Sequence, residues 1–219
     1  MIKAILLIFR PEQTWNGIAA ANRSIAYILC LHLVPLILLT SVAEGYGLVN
    51  WGKSSSVGEK KTVRLYTVKE AVIVETAQSL VLLGLAFLGA VAAKSYSSTF
   101  HRRSTFRQAF TAIAFGMAPM LTLRFGDLIV GLYPWVPWAV GMILTLAVLY
   151  LGLPCLLKPD PPHAFGLYVM TTMTITVMFG LWRLVMTQFF LGKFPRLTQA
   201  VADLAGVAVN ATSGGGTLP

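Results

Sequence analysis

Five long apolar stretches, separated by short polar segments, dominate the pattern of this chain. They cover residues 25–43, 71–93, 109–123, 136–157 and 165–190. The hydrocarbon core of a bilayer requires about 20 apolar residues of helix to cross it. Within lipid the backbone must satisfy its own hydrogen bonds, so such stretches become helices. The pattern therefore predicts an all-α, polytopic membrane helical bundle with five transmembrane helices.

The polar segments divide the chain into three regions. Residues 1–24 predict N-terminal interfacial helices: a short amphipathic helix over residues 1–9, and a second that begins near Pro11 and places Trp15 at the headgroup level. Residues 25–192 form the bundle and include an outer loop over 44–70. Within it, the β-branched run 62–68 favours a hairpin arm or an extended lid, with an unstructured loop as the alternative. Residues 193–219 predict a C-terminal amphipathic segment and a flexible tail.

Composition agrees with a membrane location. Hydrophobic residues make up 56% of the chain and charged residues 11%, whereas a soluble domain has roughly 25% charged residues. The net charge of +9 comes from basic residues beside the spans, which favours contact with anionic lipid headgroups. No nucleic-acid-binding motif is present. We therefore expect membrane lipids, and other membrane proteins or copies of this chain, as partners, and no nucleic acid.

The orientation follows from the basic residues. With five spans, the N-terminal segment lies on the same side as the loops after spans 2 and 4. When the intramembrane Arg183 is set aside, the two sides have equal numbers of Lys and Arg. However, Arg102, Arg103 and Arg107 lie in a short loop, where the positive-inside bias counts most, and Arg23 directly precedes span 1. This predicts a cytoplasmic N-terminus, in the cytoplasmic (inner) membrane if the source is prokaryotic.

Polar residues within the spans gather in the predicted outer half. A charge in the bilayer costs roughly 2.5–3.5 kcal/mol on insertion scales, so buried charges need partners, and we expect Glu75 to pair with Arg183 or Arg124. One interpretation is a structural network that fixes helix order. The other is a polar pocket, open to the outer side, that binds a lipid headgroup or a small solute. The predicted network comprises Glu75, Gln78, Arg124, Asp127, Arg183 and Gln188.

No catalytic, cofactor or metal motif accompanies these residues. The chain has no G-x-S-x-G, no H-E-x-x-H and no P-loop, and Cys30 and Cys155 have neither disulfide nor metal-ligand spacing. His32 in span 1 could relay protons or bind a metal, or could be a neutral histidine bonded to a neighbouring helix. We therefore predict no enzymatic activity, no cofactor and no metal.

Three short motifs stand out along the chain: the start Phe9-Arg10-Pro11-Glu12-Gln13-Thr14-Trp15, the third-span segment Met117-Ala118-Pro119, and Leu149-Tyr150-Leu151-Gly152-Leu153. Together they resemble the membrane proteins of the Yip1-domain family, in their prokaryotic form. The resemblance covers about residues 5–190 and implies five spans with a cytoplasmic N-terminus. Eukaryotic members are tied to vesicle traffic and Rab GTPases, but this chain lacks their D-L-Y-G-P type motif, so Rab binding is not carried over. The family-like positions are Pro11, Trp15, Pro119, Tyr150 and Gly152.

Two classes of function compete. The first is a non-enzymatic scaffold or accessory subunit that assembles with other membrane proteins or with itself. The second is a small solute or lipid transporter, or a channel, that uses the polar cluster. A transporter needs a continuous polar path from the Glu75 cluster to the loop over 158–163. Because the polar residues are concentrated at one end of the spans, the sequence favours the scaffold.

Overall fold

The computed structural model describes residues 6–7, 9–57, 60–99, 104–128, 133 and 135–206. Most of the predicted helix over 1–9, Arg102 and Arg103, and the predicted flexible tail lie outside these residues. Within them, one β-hairpin and seven helices follow each other along the chain. In order they are α1 (Pro11–Ala21), α2 (Ile25–Asn50), β1 (Lys53–Val57), β2 (Lys60–Arg64), α3 (Val68–Thr99), α4 (Phe106–Leu128), α5 (Trp135–Leu157), α6 (Ala164–Phe190) and α7 (Pro195–Ala205).

Five of the described helices, α2 to α6, are long and apolar enough to cross a membrane, which confirms the predicted all-α membrane bundle. The first span extends to Asn50 and the second begins at Val68. Most of the residues at both ends of the predicted outer loop over 44–70 are therefore helical. Between the two helices, β1 pairs antiparallel with β2, and only the first part of the β-branched run, residues 62–64, lies in this hairpin.

Helix α4 is the centre of the bundle. In its most apolar 18-residue stretch 72% of the residues are buried, against 28% in the fifth span. It packs against α2, α3 and α5, while α6 packs outside it against α3 and α5. Phe110, Ile113, Met117 and Leu121 on α4 are fully buried. The short third apolar stretch is therefore the core helix, and the longest ones face outward.

Proline interrupts two of the spans. Proline lacks an N–H and its ring collides with the carbonyl four residues earlier. In α2 the turn Leu29–Leu33 is π-helical and immediately precedes Pro35. In α4 the first segment ends at Gly116 and a second begins at Ala118, next to Pro119. Both irregularities therefore lie beside a proline, where interruptions of a helix are expected.

The π-helical turn positions His32 inside the bundle. Its ring stacks on Phe115 of α4, with the ring centroids 4.0 Å apart, and only 5% of the residue is exposed. The described residues contain no group of three or more His, Cys, Asp or Glu that could hold a metal ion. The geometry of His32 is therefore that of an aromatic packing partner.

Trp15 joins the N-terminal helix to the bundle. Its side chain is 1% exposed, and its indole N–H donates a hydrogen bond to the carbonyl of Val148 on α5 at 3.0 Å. A side chain at Gly152 would overlap the indole ring, so glycine is required there. The expectation that Trp15 is a headgroup-level anchor is therefore wrong, because α5 covers the ring completely. Two family-like positions, Trp15 and Gly152, meet in this contact.

The other family-like positions and the small residues have simpler roles. Pro119 is buried within α4, and the exposed Tyr150 contacts Tyr168 edge to face.

A side chain at Gly116 would collide with Leu149 of α5, so small residues let α4 and α5 approach closely. Gly84, in contrast, is exposed with open space around it.

The segment after the hairpin contacts the end of α2 and the start of α3. The Tyr66 N–H bonds to the carbonyl of Leu48 on α2, and burial raises the pKa of the Tyr66 hydroxyl. Thr67 and Glu70 exchange hydrogen bonds in the manner of a capping box at the start of α3. Arg64 completes this corner with an ion pair to Glu70 at 3.1 Å. The segment before α3 is therefore ordered by specific contacts.

We predict that Gly152→Ala destabilises the protein by about 1–3 kcal/mol, as overpacking of a core does, because its methyl group displaces the Trp15 ring. Thermal unfolding of the full chain in mild detergent measures this. Gly84→Ala is the matched control, since nothing lies near that position, and it should leave stability unchanged or slightly improved. Equal effects of the two substitutions would contradict the close contact between α1 and α5.

Candidate functional site

The bundle buries a group of charged side chains on the side that carries the hairpin. At its centre is Glu44, near the end of α2, which is 2% exposed. Its Oε2 atom accepts hydrogen bonds from Arg124 Nη2 at 2.7 Å and from Gln78 Nε2 at 3.2 Å. Its Oε1 atom lies 3.3 Å from the Lys53 ammonium group. One carboxylate therefore contacts the hairpin, α3 and α4 as well as its own helix.

Arg124 connects this carboxylate to a second one. Its side chain is 9% exposed, and Nη2 also lies 3.2 Å from Glu75 on α3. Three residues further along, Asp127 accepts two hydrogen bonds from Arg183 of α6, at 3.2 and 3.3 Å. We refer to the following residues as the charge cluster: Glu44, Lys53, Glu75, Gln78, Arg124, Asp127 and Arg183.

The formal charges of the cluster balance. Three carboxylates face three cations, and each cation is within ion-pair distance of a carboxylate. An unpaired charge removed from water loses its solvation without compensation, whereas paired and hydrogen-bonded charges regain part of it. Neutrality within the chain is therefore the condition under which these residues can lie inside the spans.

Local backbone features bring the partners together. The end of α4, Arg124–Leu128, is a 3₁₀ turn, in which residues three apart eclipse each other. Arg124 and Asp127 consequently project from the same face. On α2, Gly45 lies against the Glu75 side chain and Gly47 against Leu128, at 3.5 Å for a Cβ placed on either glycine. Both glycines therefore lie in the contacts of α2 with α3 and α4, and an added Cβ would make ordinary van der Waals contacts there.

Five of the six residues of the predicted network lie in the charge cluster. The structure pairs Glu75 with Arg124, and it pairs Arg183 with Asp127 rather than with Glu75. Gln188 is not brought to the cluster: among the described residues, no hydrogen bond joins its side chain to any member.

Sequence reasoning missed Glu44 and Lys53, because it assigned both to the outer loop. A signal for Glu44 was present. Buried positions on α2 recur with helical spacing, and Glu44 continues that series after the last strongly apolar residues. Those positions are Ile37, Thr40, Ser41, Glu44 and Leu48. No local sequence pattern indicates that Lys53 contacts the cluster, since its position depends on the hairpin.

A small cavity adjoins the cluster. It has a volume of about 40 Å³, and its walls include Gln78, Arg124, Trp138 and Phe179. Gln78 Oε1 and Arg124 Nη1 are buried without a hydrogen-bond partner in the protein. A cavity needs roughly 10–15 Å³ of such volume for each water molecule. The space therefore suits a few water molecules bonded to these atoms, and it is too small for an organic solute.

Fold and cluster together define a class: a multi-pass integral membrane protein of five spans, with one internally paired charge cluster. The family model of the Yip1 domain matches residues 5–201, nearly the whole chain. The chain therefore belongs to the Yip1 domain family, as its short motifs indicated. Neither curated proteins nor solved structures give a match.

We predict that Glu44→Gln lowers the free energy of unfolding by about 3–5 kcal/mol, the range for breaking a buried pair. Combining it with Arg124→Leu should be less harmful than the sum of the single losses, with a coupling of roughly 0.5–3 kcal/mol. Unfolding of the full chain in mild detergent, as a double-mutant cycle, measures both values. Arg64→Gln is the control, because its side chain is 38% exposed and a surface pair contributes at most about 1 kcal/mol. Strict additivity of the two cluster substitutions would refute the pairing.

Proposed function

We propose that this Yip1 domain protein is a non-enzymatic membrane scaffold or accessory subunit, which assembles with other membrane proteins or with copies of itself. The observation that carries this proposal is the internal pairing of the charge cluster. Its ionic groups form ion pairs with each other, and these pairs connect α2, α3, α4, α6 and the hairpin. Such an arrangement favours a rigid body over a site that exchanges a charged substrate.

The interior next to the cluster favours the same conclusion over the alternative of a transporter or channel. Towards the opposite side, α4 presents Phe110, Ile113, Ala114 and Met117, all fully buried in one hydrophobic core. A transported solute needs polar groups along its route. The small cavity beside Arg124 does not provide such a route.

The surface of the bundle offers room for a partner on α6. This helix is the least covered of the five spans, and five of its exposed apolar residues are spaced three or four apart, which places them on one face. Lipid covers such a face by default, but a partner helix with complementary side chains fits it equally well. The face consists of Met170, Met173, Val177, Leu181 and Leu184.

We predict that a photo-crosslinking amino acid at Val177 captures one protein, either a defined partner or a second copy of this chain, in intact cells. The same amino acid at Ile143 on α5, which is also exposed, is the control and should give mainly lipid adducts. Gel shift and mass spectrometry identify the products. Only lipid adducts at both positions, together with a monomer in native mass spectrometry, would contradict an assembly through α6.

The orientation forms part of the proposal: the N-terminus and the loops after α3 and α5 lie in the cytoplasm. In a chain whose own cysteines are replaced by alanine, Asp160→Cys should react with a thiol reagent only from the cytoplasmic side, and Ser55→Cys in the hairpin only from the other side. Labelling of right-side-out and inverted vesicles measures this. The reverse pattern would overturn the orientation and leave the fold intact.

A further inference from the structure

A second concavity lies on the opposite side of the bundle from the charge cluster. It occupies about 290 Å³ between the end of α1, the start of α4 and the end of α5. Small-molecule sites span roughly 300–1,000 Å³, so this volume is near the lower limit for a ligand. We call it the basic cleft. Its polar wall includes Asn22, Arg23, Arg107, Gln108, Thr111 and Lys158.

The charged residues that line the cleft are all positive. Its lining includes three cations, Arg23, Arg107 and Lys158, and no carboxylate. Among the described residues, no acidic group lies within ion-pair distance of any of the three. Arg23 instead lies over the Tyr27 ring, 4.8 Å from its centroid. The contrast with the charge cluster is direct, since there every cation has a carboxylate.

Helix dipoles account for only one of these cations without conflict. Lys158 directly follows the C-terminal end of α5, where a positive charge is favourable. Arg23 lies between the end of α1 and the start of α2, where the two helix dipoles have opposite effects on a cation. Arg107 lies in the first turn of α4, where the dipole disfavours a cation. Three like charges around one cleft also repel each other. An anion bound between them would remove both penalties.

We propose that the basic cleft binds a phosphate group, with Arg107 and Lys158 as its main ligands and Arg23 at its edge. The guanidinium group can donate two parallel hydrogen bonds to phosphate oxygens, and lysine contributes a point charge. The remaining wall is apolar and includes Ile18, Ala20 and Leu156. Such a wall suits the glycerol and upper acyl chain of a phospholipid, so an anionic phospholipid is the expected source of the phosphate.

The full chain, purified in mild detergent, tests this by native mass spectrometry with phosphatidylglycerol, with phosphatidylcholine and with inorganic phosphate as probes. We expect retention of about one phosphatidylglycerol in preference to phosphatidylcholine. Each cation near a membrane surface contributes about 1 kcal/mol, so Arg107→Gln or Lys158→Gln should weaken this binding about fivefold and the double variant about 25-fold. Lys94→Gln is the matched control, because Lys94 is exposed on the same side and outside the cleft, and it should have no effect.

The probes also separate the two sources of phosphate. Competition by millimolar inorganic phosphate, without a preference among lipids, would support the site and identify its ligand as a free phosphate. Equal losses for Arg107→Gln and Lys94→Gln would overturn the proposal, because bulk attraction to the surface would then explain the binding. Binding of neither probe by wild-type protein would overturn it as well. Thermal unfolding without lipid verifies that each variant is folded. Arg107→Lys keeps the charge but loses the paired hydrogen bonds, so its affinity should lie between those of Arg107→Gln and the wild type.

Discussion

The buried carboxylate of Glu44 requires nearby cations, and this requirement determines how the elements on the hairpin side of the bundle pack together. Glu44 lies inside the first span, at a depth where an isolated charge is unfavourable by a few kcal/mol. Arg124 and Lys53 compensate it, and Arg124 in turn requires Glu75. Because these groups come from different elements, the requirement for neutrality fixes the positions of α2, α3, α4 and the hairpin relative to each other.

The other side of the bundle is held together differently. There the contacts are apolar and depend on close approach, as in the packing of Trp15 against Gly152 and of Leu149 against Gly116. Lipid tails are as apolar as leucine, so helix association in membranes depends on close packing and on hydrogen bonds between helices. This protein uses packing on one side and charge on the other. The cations of the basic cleft have no carboxylate partner among the described residues, and this difference from the charge cluster is the basis of the proposed phosphate site.

The sequence predicts the spans because four of the five apolar stretches are about as long as a bilayer crossing requires, while the shorter third stretch lies between them and is the buried core helix. It locates five of the six residues of the polar network, since an intramembrane charge is conspicuous in an apolar run. It misplaces Glu44, because a carboxylate between Ala43 and Gly45 resembles the end of a span in composition, whereas the helix continues to Asn50 and Arg124 pairs with the buried carboxylate. The burial of Trp15 depends on Gly152, more than 130 residues away, and no local pattern reveals it.

Hydrogen–deuterium exchange of the Arg124→Leu variant in mild detergent tests the central claim most directly, because it reports local opening along each helix. If the charge cluster fixes the hairpin side, exchange should accelerate around Glu44, around Glu75 and in the hairpin. It should stay unchanged in α1 and around Gly152, where packing is independent of the cluster. Exchange that matches the wild type throughout, or that accelerates equally on both sides, would contradict the account.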